Sequence, residues 1–454
     1  DNRIAIVSAS LTPADDVFYM CPGAQQLPRR WAYFVSEFEV RDEYGEAVHF
    51  STGEDGTWHL SSMPEGPVTI RYRVNLDHEA HEWSGGVDGA AYARDWGVFY
   101  TGRSLFVVNG NEQRDISIDF HLPDQWQVTT PWRSTDDGTT GFSVPSHESL
   151  ATSMIFAGLH EEIVIEHGPF RLLLALGGDH VTAQQDVFVD MARGVLDYYT
   201  ELMGDGPRIM SQSGPSTSVV VINEYPTTDG EALGNNISIL LEPDGGPMAQ
   251  TIARMIFVHE FYHLWNGKSF APSGLDGEWL KEGFSNYYSI KALHRIGHLN
   301  DEAYLGLLAG FFYQKYDSDP AVGTHALTEG ELKHDHWGLI YSGGMLVAIA
   351  QDLMIRTATD NEKSLDDLMR YLFDEFNDAN YEVADIEQAL SRLNGQSQAE
   401  FFERFVHGGE RIPVAEFLEL ADIETRQENG ATVFVAREPS NDLVTAIQRG
   451  FFGD

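Results

Sequence analysis

At 454 residues, with 42 % hydrophobic and 12 % aromatic content, the chain is too long for one core and has enough apolar material for two or three globular domains. Its 70 acidic residues against 29 basic ones give a formal charge of -41, which repels nucleic acid and anionic membranes and argues against both as partners. The lone cysteine, Cys21, excludes an internal disulfide and a cysteine-built metal site, and reads as a quiet structural thiol.

Residues 1–125 read as a β-rich domain, expected to be a β-sandwich. Short alternating runs such as Val68 to Val74 and Ile116 to Phe120 are broken by Gly, Asp and Asn turns. The tryptophans and tyrosines there are expected in the core. Residues 126–150, with Pro131, Ser134, Asp136, Asp137 and Gly138, have the turn-rich composition of a connector. Residues 151–300 mix strands (Ile163 to Ile165, Phe170 to Leu176, Ser218 to Ile222, Ile237 to Leu241) with an amphipathic helix from Gln185 to Met203 and two further helices. Such a mixture is expected to be an α+β domain, and Ile237 to Leu241 is the candidate for its edge strand, the kind that can align an extended peptide. Residues 301–425 read as a helical domain, one helix opening at a Ser364 cap with an acidic first turn. Residues 426–454 read as a tail. The expected fold class is therefore α+β and multidomain.

The sequence His259-Glu260-Phe261-Tyr262-His263 carries the most chemistry. Two imidazoles four residues apart on a helix share a face and can grip one metal ion, while the Glu between them serves as general base. Glu282, after eighteen intervening residues beyond His263 and on a second helix, would be the third ligand. Three protein ligands leave one tetrahedral position open, as catalytic Zn2+ sites do. Asn286, one turn after Glu282, could fix the tautomer of a ligand imidazole. His294, His298, His334 and His336 make no second site by their spacing. All six lysines fall between Lys268 and Lys363. The acidic surface reads as solvated and suited to salty surroundings, with attraction of cationic peptides as the functional alternative. No apolar stretch is expected to reach spanning length, so no membrane insertion is foreseen. The opening at Asp1 without Met suggests a removed leader and an exported protein, periplasmic or secreted, with a cytoplasmic one as the alternative.

The segments His259 to Lys268 (HEFYHLWNGK) and Glu278 to Tyr288 (EWLKEGFSNYY), with Ile340 to Arg356, Ser364 to Phe373 and Phe401 to Ile423, resemble the glycyl aminopeptidase family of bacterial zinc metallopeptidases. That family belongs to the gluzincins, and with the paired metal-binding helices it implies a thermolysin-like catalytic domain at residues 151–300. The resemblance implies one zinc per chain, peptide substrates, and removal of small N-terminal residues, Gly and Ala. It places the oxyanion-binding phenol at Tyr341. Many members carry a PDZ domain after the helical region. Only about thirty residues follow Ile423 here, too few for that module.

The family receives the substrate's ammonium on a Gly-Gly-Leu-Glu-His motif. In the matching stretch, Gly230 to Asn236, Gly234 stands where the Glu should be and Asn235 replaces the His. Glu231 lies three residues before Gly234, on the opposite face if the stretch is a regular strand, and could serve if it bends. This departure keeps two alternatives open: a zinc endopeptidase without amine recognition, and a catalytically silent peptide-binding protein. The presence of Glu260 and Tyr341 beside the ligand set argues against the silent protein. Oligomeric state is not legible in the sequence.

Overall fold

The computed structural model describes residues 3–81, 83, 90–135, 140–208, 217–243, 245–377 and 379–453. Its contacts divide the chain into two units, one of residues 1–166, 171–185 and 217–245 and another of residues 167–170, 186–216 and 246–454.

In the first unit, strand Val68–Asn75 lies between Ile4–Leu11 and Val35–Arg41 in an antiparallel sheet. Its side chains alternate between core and solvent as the period of two requires. The inward set, Val68, Ile70, Tyr72 and Val74, shares one core with Phe18, Trp58 and Val107 from a second sheet of four strands. This is the expected sandwich, and Trp31, Trp58 and Trp132 are buried in it. Residues 126–150 are not a connector. Gly141–Ser146 pairs with Arg114–Asp119, and Gln127–Thr129 pairs with Met154–Gly158, while Trp132, Phe142, Val144 and Leu150 are buried in the same core. Asp136, Asp137 and Gly138 lie outside the described residues.

The same unit holds a five-stranded sheet. Its strands are β1 (Glu161–His167), β2 (Phe170–Gly177), β3 (Thr217–Glu224), β4 (Asp229–Leu233) and β5 (Asn236–Leu241), in the order β1-β2-β3-β5-β4. β2, β3 and β5 run parallel and β4 is antiparallel to β5. The apolar run Ile237 to Leu241 is thus an interior strand, and the edge beside it is β4. The expected single domain 151–300 is divided: its sheet falls in the first unit and its later helices in the second.

The second unit is built from helices: α1 (Gln185–Met203), α2 (Pro247–Tyr262), α3 (Glu278–Arg295), α4 (Gly343–Ala358), α5 (Leu365–Glu375), α6 (Val383–Asn394) and α7 (Asp442–Phe452). Pro247 suits the first turn of α2, where no intrahelical partner is needed for its missing N–H. Ser364 caps α5 in a reciprocal box with Asp367, and Gly395 ends α6 at φ +69°. A π-helical turn, Gly338–Ser342, leads into α4.

Two expectations need correction. The stretch Gly338–Ala358 is long and apolar enough to cross a membrane, but 89 % of its most apolar window is buried inside the protein, the signature of a core helix. Residues 426–454 are not a loose tail. They complete a hairpin (Ile423–Glu428 with Ala431–Ala436) and form α7, whose Ile447, Phe451 and Phe452 are buried. The Tyr304 hydroxyl donates to Phe451 O at 3.2 Å, and Arg356 donates to Gly450 O at 3.1 Å.

Candidate metal centre

α2 ends at Tyr262, and His259 and His263 occupy its final turn and C-cap. α3 carries Glu282 one turn after its start. Three ligand-type atoms converge: the two Nε2 atoms stand 3.1 Å apart, and Glu282 Oε2 is 3.3 Å from His259 Nε2 and 3.2 Å from His263 Nε2. Among the described residues this is the one cluster of His, Cys, Asp and Glu with metal-holding geometry. All three side chains are buried.

His263 is oriented from behind. His263 Nδ1 lies 2.9 Å from Asn266 O, a contact that requires an N–H, so the lone pair is left on Nε2. Asn266 is itself fixed by donating to Lys281 O and Ser285 Oγ. His259 Nδ1 makes no hydrogen bond among the described residues. Burial lowers the His259 pKa, but the hydrogen bond with Glu282, the charges of Glu260 and Glu282, and the Asn286 amide raise it above its ordinary value. Asn286, expected to hold a ligand ring, is by its side chain among the groups that raise the His259 pKa, and it also donates to Tyr341 O at 3.4 Å, tying α3 to the π-helical turn. Burial would lift Glu282, but the His263 charge, hydrogen bonds with both imidazoles and the Lys281 charge hold its carboxyl well below the usual range.

Tyr341 stands on that turn, half-buried, its ring stacked on Trp337 at 5.0 Å and facing the His259 ring at 6.4 Å. A widened turn rotates the side chain it carries relative to regular α-helix, a feature common at functional sites. α3 and α4 then meet backbone to backbone. A Cβ on Gly283 would come within 2.3 Å of Gly344 C, and one on Gly344 within 1.9 Å of Trp279 O. Glycine at both positions therefore sets the spacing between the Glu282 helix and the helix that continues from Tyr341.

Sequence reasoning missed three residues behind Glu282. Lys281 and Lys333 both reach the buried carboxylate of Glu278, at 2.8 and 2.6 Å, and both approach Glu282 Oε1, at 3.3 and 3.5 Å. The composition held a signal: only six lysines exist, and these two converge on one pair of carboxylates. His294 and His336 pair with Asp301 and Asp319 instead of forming a second metal cluster.

The substrate-binding candidates belong to the first unit. Gly234 and Asn235 form the two-residue turn joining β4 to β5, with Gly234 at φ +58°. Asn235 donates its amide to Thr217 O, which commits it to closing the turn. Glu231 lies on the edge strand opposite Ser238. Asp229, two residues before it, shares its face, and both line a small cleft with Tyr92, Phe99 and Ser238. Cys21 is buried with its thiol pushed up to about 11 by burial, against the lowering charge of Arg103. His147 Nε2 lies 3.3 Å from its sulfur, a neighbour the sequence did not reveal.

Among known proteins, residues 21–158 match the Peptidase M61 N-terminal domain and residues 215–405 match the Peptidase family M1 domain. The crystal structure of an aminopeptidase N family protein from Idiomarina loihiensis is similar with a TM-score of 0.79 and 19 % identity, over 94 % of this chain and 77 % of that one. Comparison with curated proteins gave no match. The α+β fold with its β-rich N-terminal part and helical C-terminal part, and these domain matches, make the chain a metallopeptidase, a hydrolase acting on peptides. More particularly, it carries an M61-type N-terminal domain ahead of an M1-type gluzincin peptidase domain, in agreement with the resemblance drawn from its motifs.

Proposed function

We propose that the chain is a zinc-dependent aminopeptidase that removes small residues, Gly or Ala, from peptide N-termini. The observation that carries the zinc reading is the spacing of the three ligand atoms, 3.1 to 3.3 Å. Ligands about 2.0–2.1 Å from a tetrahedral centre lie roughly 3.3 Å from one another, and two imidazoles with one carboxylate form a donor set that zinc favours in catalytic sites. Bound there, the metal would supply Lewis acidity towards water and the scissile carbonyl.

The chain's own residues would do the rest. Glu260, whose charge reaches His259, would take the proton from the attacking water and pass it to the departing amine. The Tyr341 phenol would donate to the oxyanion. Asn286 would keep the phenol's turn in register with the ligand helix. Glu231, with Asp229 on the same face of the edge strand, is our candidate to receive the substrate's ammonium, while Gly234 and Asn235, at the family's Glu and His positions, form the turn beyond it. The endopeptidase alternative rests on that departure from the family motif.

One peptide library with free and blocked N-termini tests all of this. We expect chelator-sensitive, zinc-restored cleavage of free-amine peptides with Gly or Ala first, lost in Glu260→Ala. Cleavage of blocked peptides at comparable rates would sink the aminopeptidase reading. An absence of cleavage by zinc-loaded protein would sink the catalytic one.

A further inference from the structure

The two oxygens of Glu282 face different partners. Oε2 points to the imidazoles, at 3.3 and 3.2 Å, whereas Oε1 points to two ammonium groups, Lys281 Nζ at 3.3 Å and Lys333 Nζ at 3.5 Å. Lys281 is the sequence neighbour of Glu282. Lys333 arrives from the short helical segment Gly330–His334, and its place has been specifically built. A Cβ on Gly330 would lie 1.8 Å from Leu275 O and 3.0 Å from Glu278 Cβ, so only glycine lets that segment come so close to the start of α3. Glu278, also buried, then anchors the ammonium at 2.6 Å. A chain with 70 acidic residues and six lysines thus commits two of those lysines to a pair of buried carboxylates, one of them the third ligand.

We infer that Lys333 is a positioning residue that restricts Glu282 to a single ligand oxygen. The inference rests on the zinc reading above. A carboxylate can bind a metal through one oxygen or two. If Oε1 also turned to the metal, it would take up coordination space needed by water or substrate and would reduce the Lewis acidity available to them. A cation held 3.5 Å from Oε1 in a buried setting opposes that turn by its charge, acting together with Lys281 at 3.3 Å. Glu278 holds the cation in place, and Lys281 continues to satisfy Glu278 when Lys333 is removed.

The test loads the metal-free protein with Co(II), whose visible absorption is intense in four-coordinate sites and weaker in five-coordinate ones. We expect Lys333→Met to bind Co(II) at least as tightly as the parent protein, since a repelling charge has gone. Its absorption should drop as the second oxygen coordinates, with kcat lowered about tenfold and KM nearly unchanged. Lys333→Arg should recover the parent spectrum. Simple structural damage would instead weaken binding. An unchanged spectrum in Lys333→Met, or weaker binding with an unchanged spectrum, overturns the inference, and Lys333→Gln serves in its place should the Met variant not fold. If the parent protein and Glu282→Gln take up Co(II) alike, the zinc reading itself has failed and this inference falls with it.

Discussion

At the residue scale, the centre owes its form to short-range geometry. The 3.6-residue period puts His259 and His263 on one helix face, where their Nε2 atoms lie 3.1 Å apart, which is why the ligand pair was readable from spacing alone. Glu282 was readable because a second helical pattern surrounded it. What stayed hidden was the reach of Lys333 to Glu278 across 55 residues, and the local conformations that put the Asn266 carbonyl on His263 and Trp337 against Tyr341. Tyr341 supplies the sharpest check at this scale. Tyr341→Phe removes one hydroxyl while leaving the ring free to keep its stack, so kcat should fall by a factor of roughly 10²–10³ with metal content and thermal midpoint unaltered. Full turnover in that variant would remove the phenol from the chemistry.

Elements were legible where their apolar period was strong, as in α1, found from Gln185 to Met203 as expected. The edge strand was misread for a physical reason. Interior strands are buried on both faces and so carry continuous apolar runs, here Ile237 to Leu241, whereas the true edge is the polar sequence Asp-Gly-Glu-Ala-Leu of β4. The segment 126–150 misled because turn residues punctuate strands whose partners lie elsewhere in the chain. The contact between α3 and α4 gives this scale its prediction. Gly283→Ala inserts a methyl group where 2.3 Å is available, so the helices must part. We expect a loss of about 1–3 kcal/mol in stability, together with a lower kcat because Glu282 and Tyr341 move apart. Calorimetry and kinetics on the same preparation would check both, and a variant as stable and active as its parent would show the contact to be pliable.

For the whole molecule, the response to acid should begin in the β-rich part. His78 is fully buried, donates through Nε2 to Asn75 O and accepts from Ala91 N at Nδ1, each at 2.9 Å. Burial is the main cause that lowers its pKa to about 4, and burial likewise takes His160 to about 4. The unfolded chain, near 6.5, accepts protons that the folded form refuses. Stability from these groups is therefore complete above about pH 7 and is lost as pH falls from 6.5 towards 4, by roughly 3 kcal/mol per histidine. Denaturant midpoints followed by tryptophan fluorescence, with Trp31 stacked on His78, should fall across that window. A flat profile would contradict it.

The lashing of Arg356 to Gly450 and of Tyr304 to Phe451 has a bearing on biogenesis. α4 is synthesised nearly a hundred residues before α7 supplies its carbonyl partner, so the guanidinium beside Asp352 waits with one donor unanswered while translation proceeds. The hydrolytic half should therefore mature only once residue 452 has cleared the ribosomal tunnel. Nascent polypeptides stalled with α7 still inside the tunnel should be nicked by added protease within α4, whereas chains whose α7 has emerged should resist.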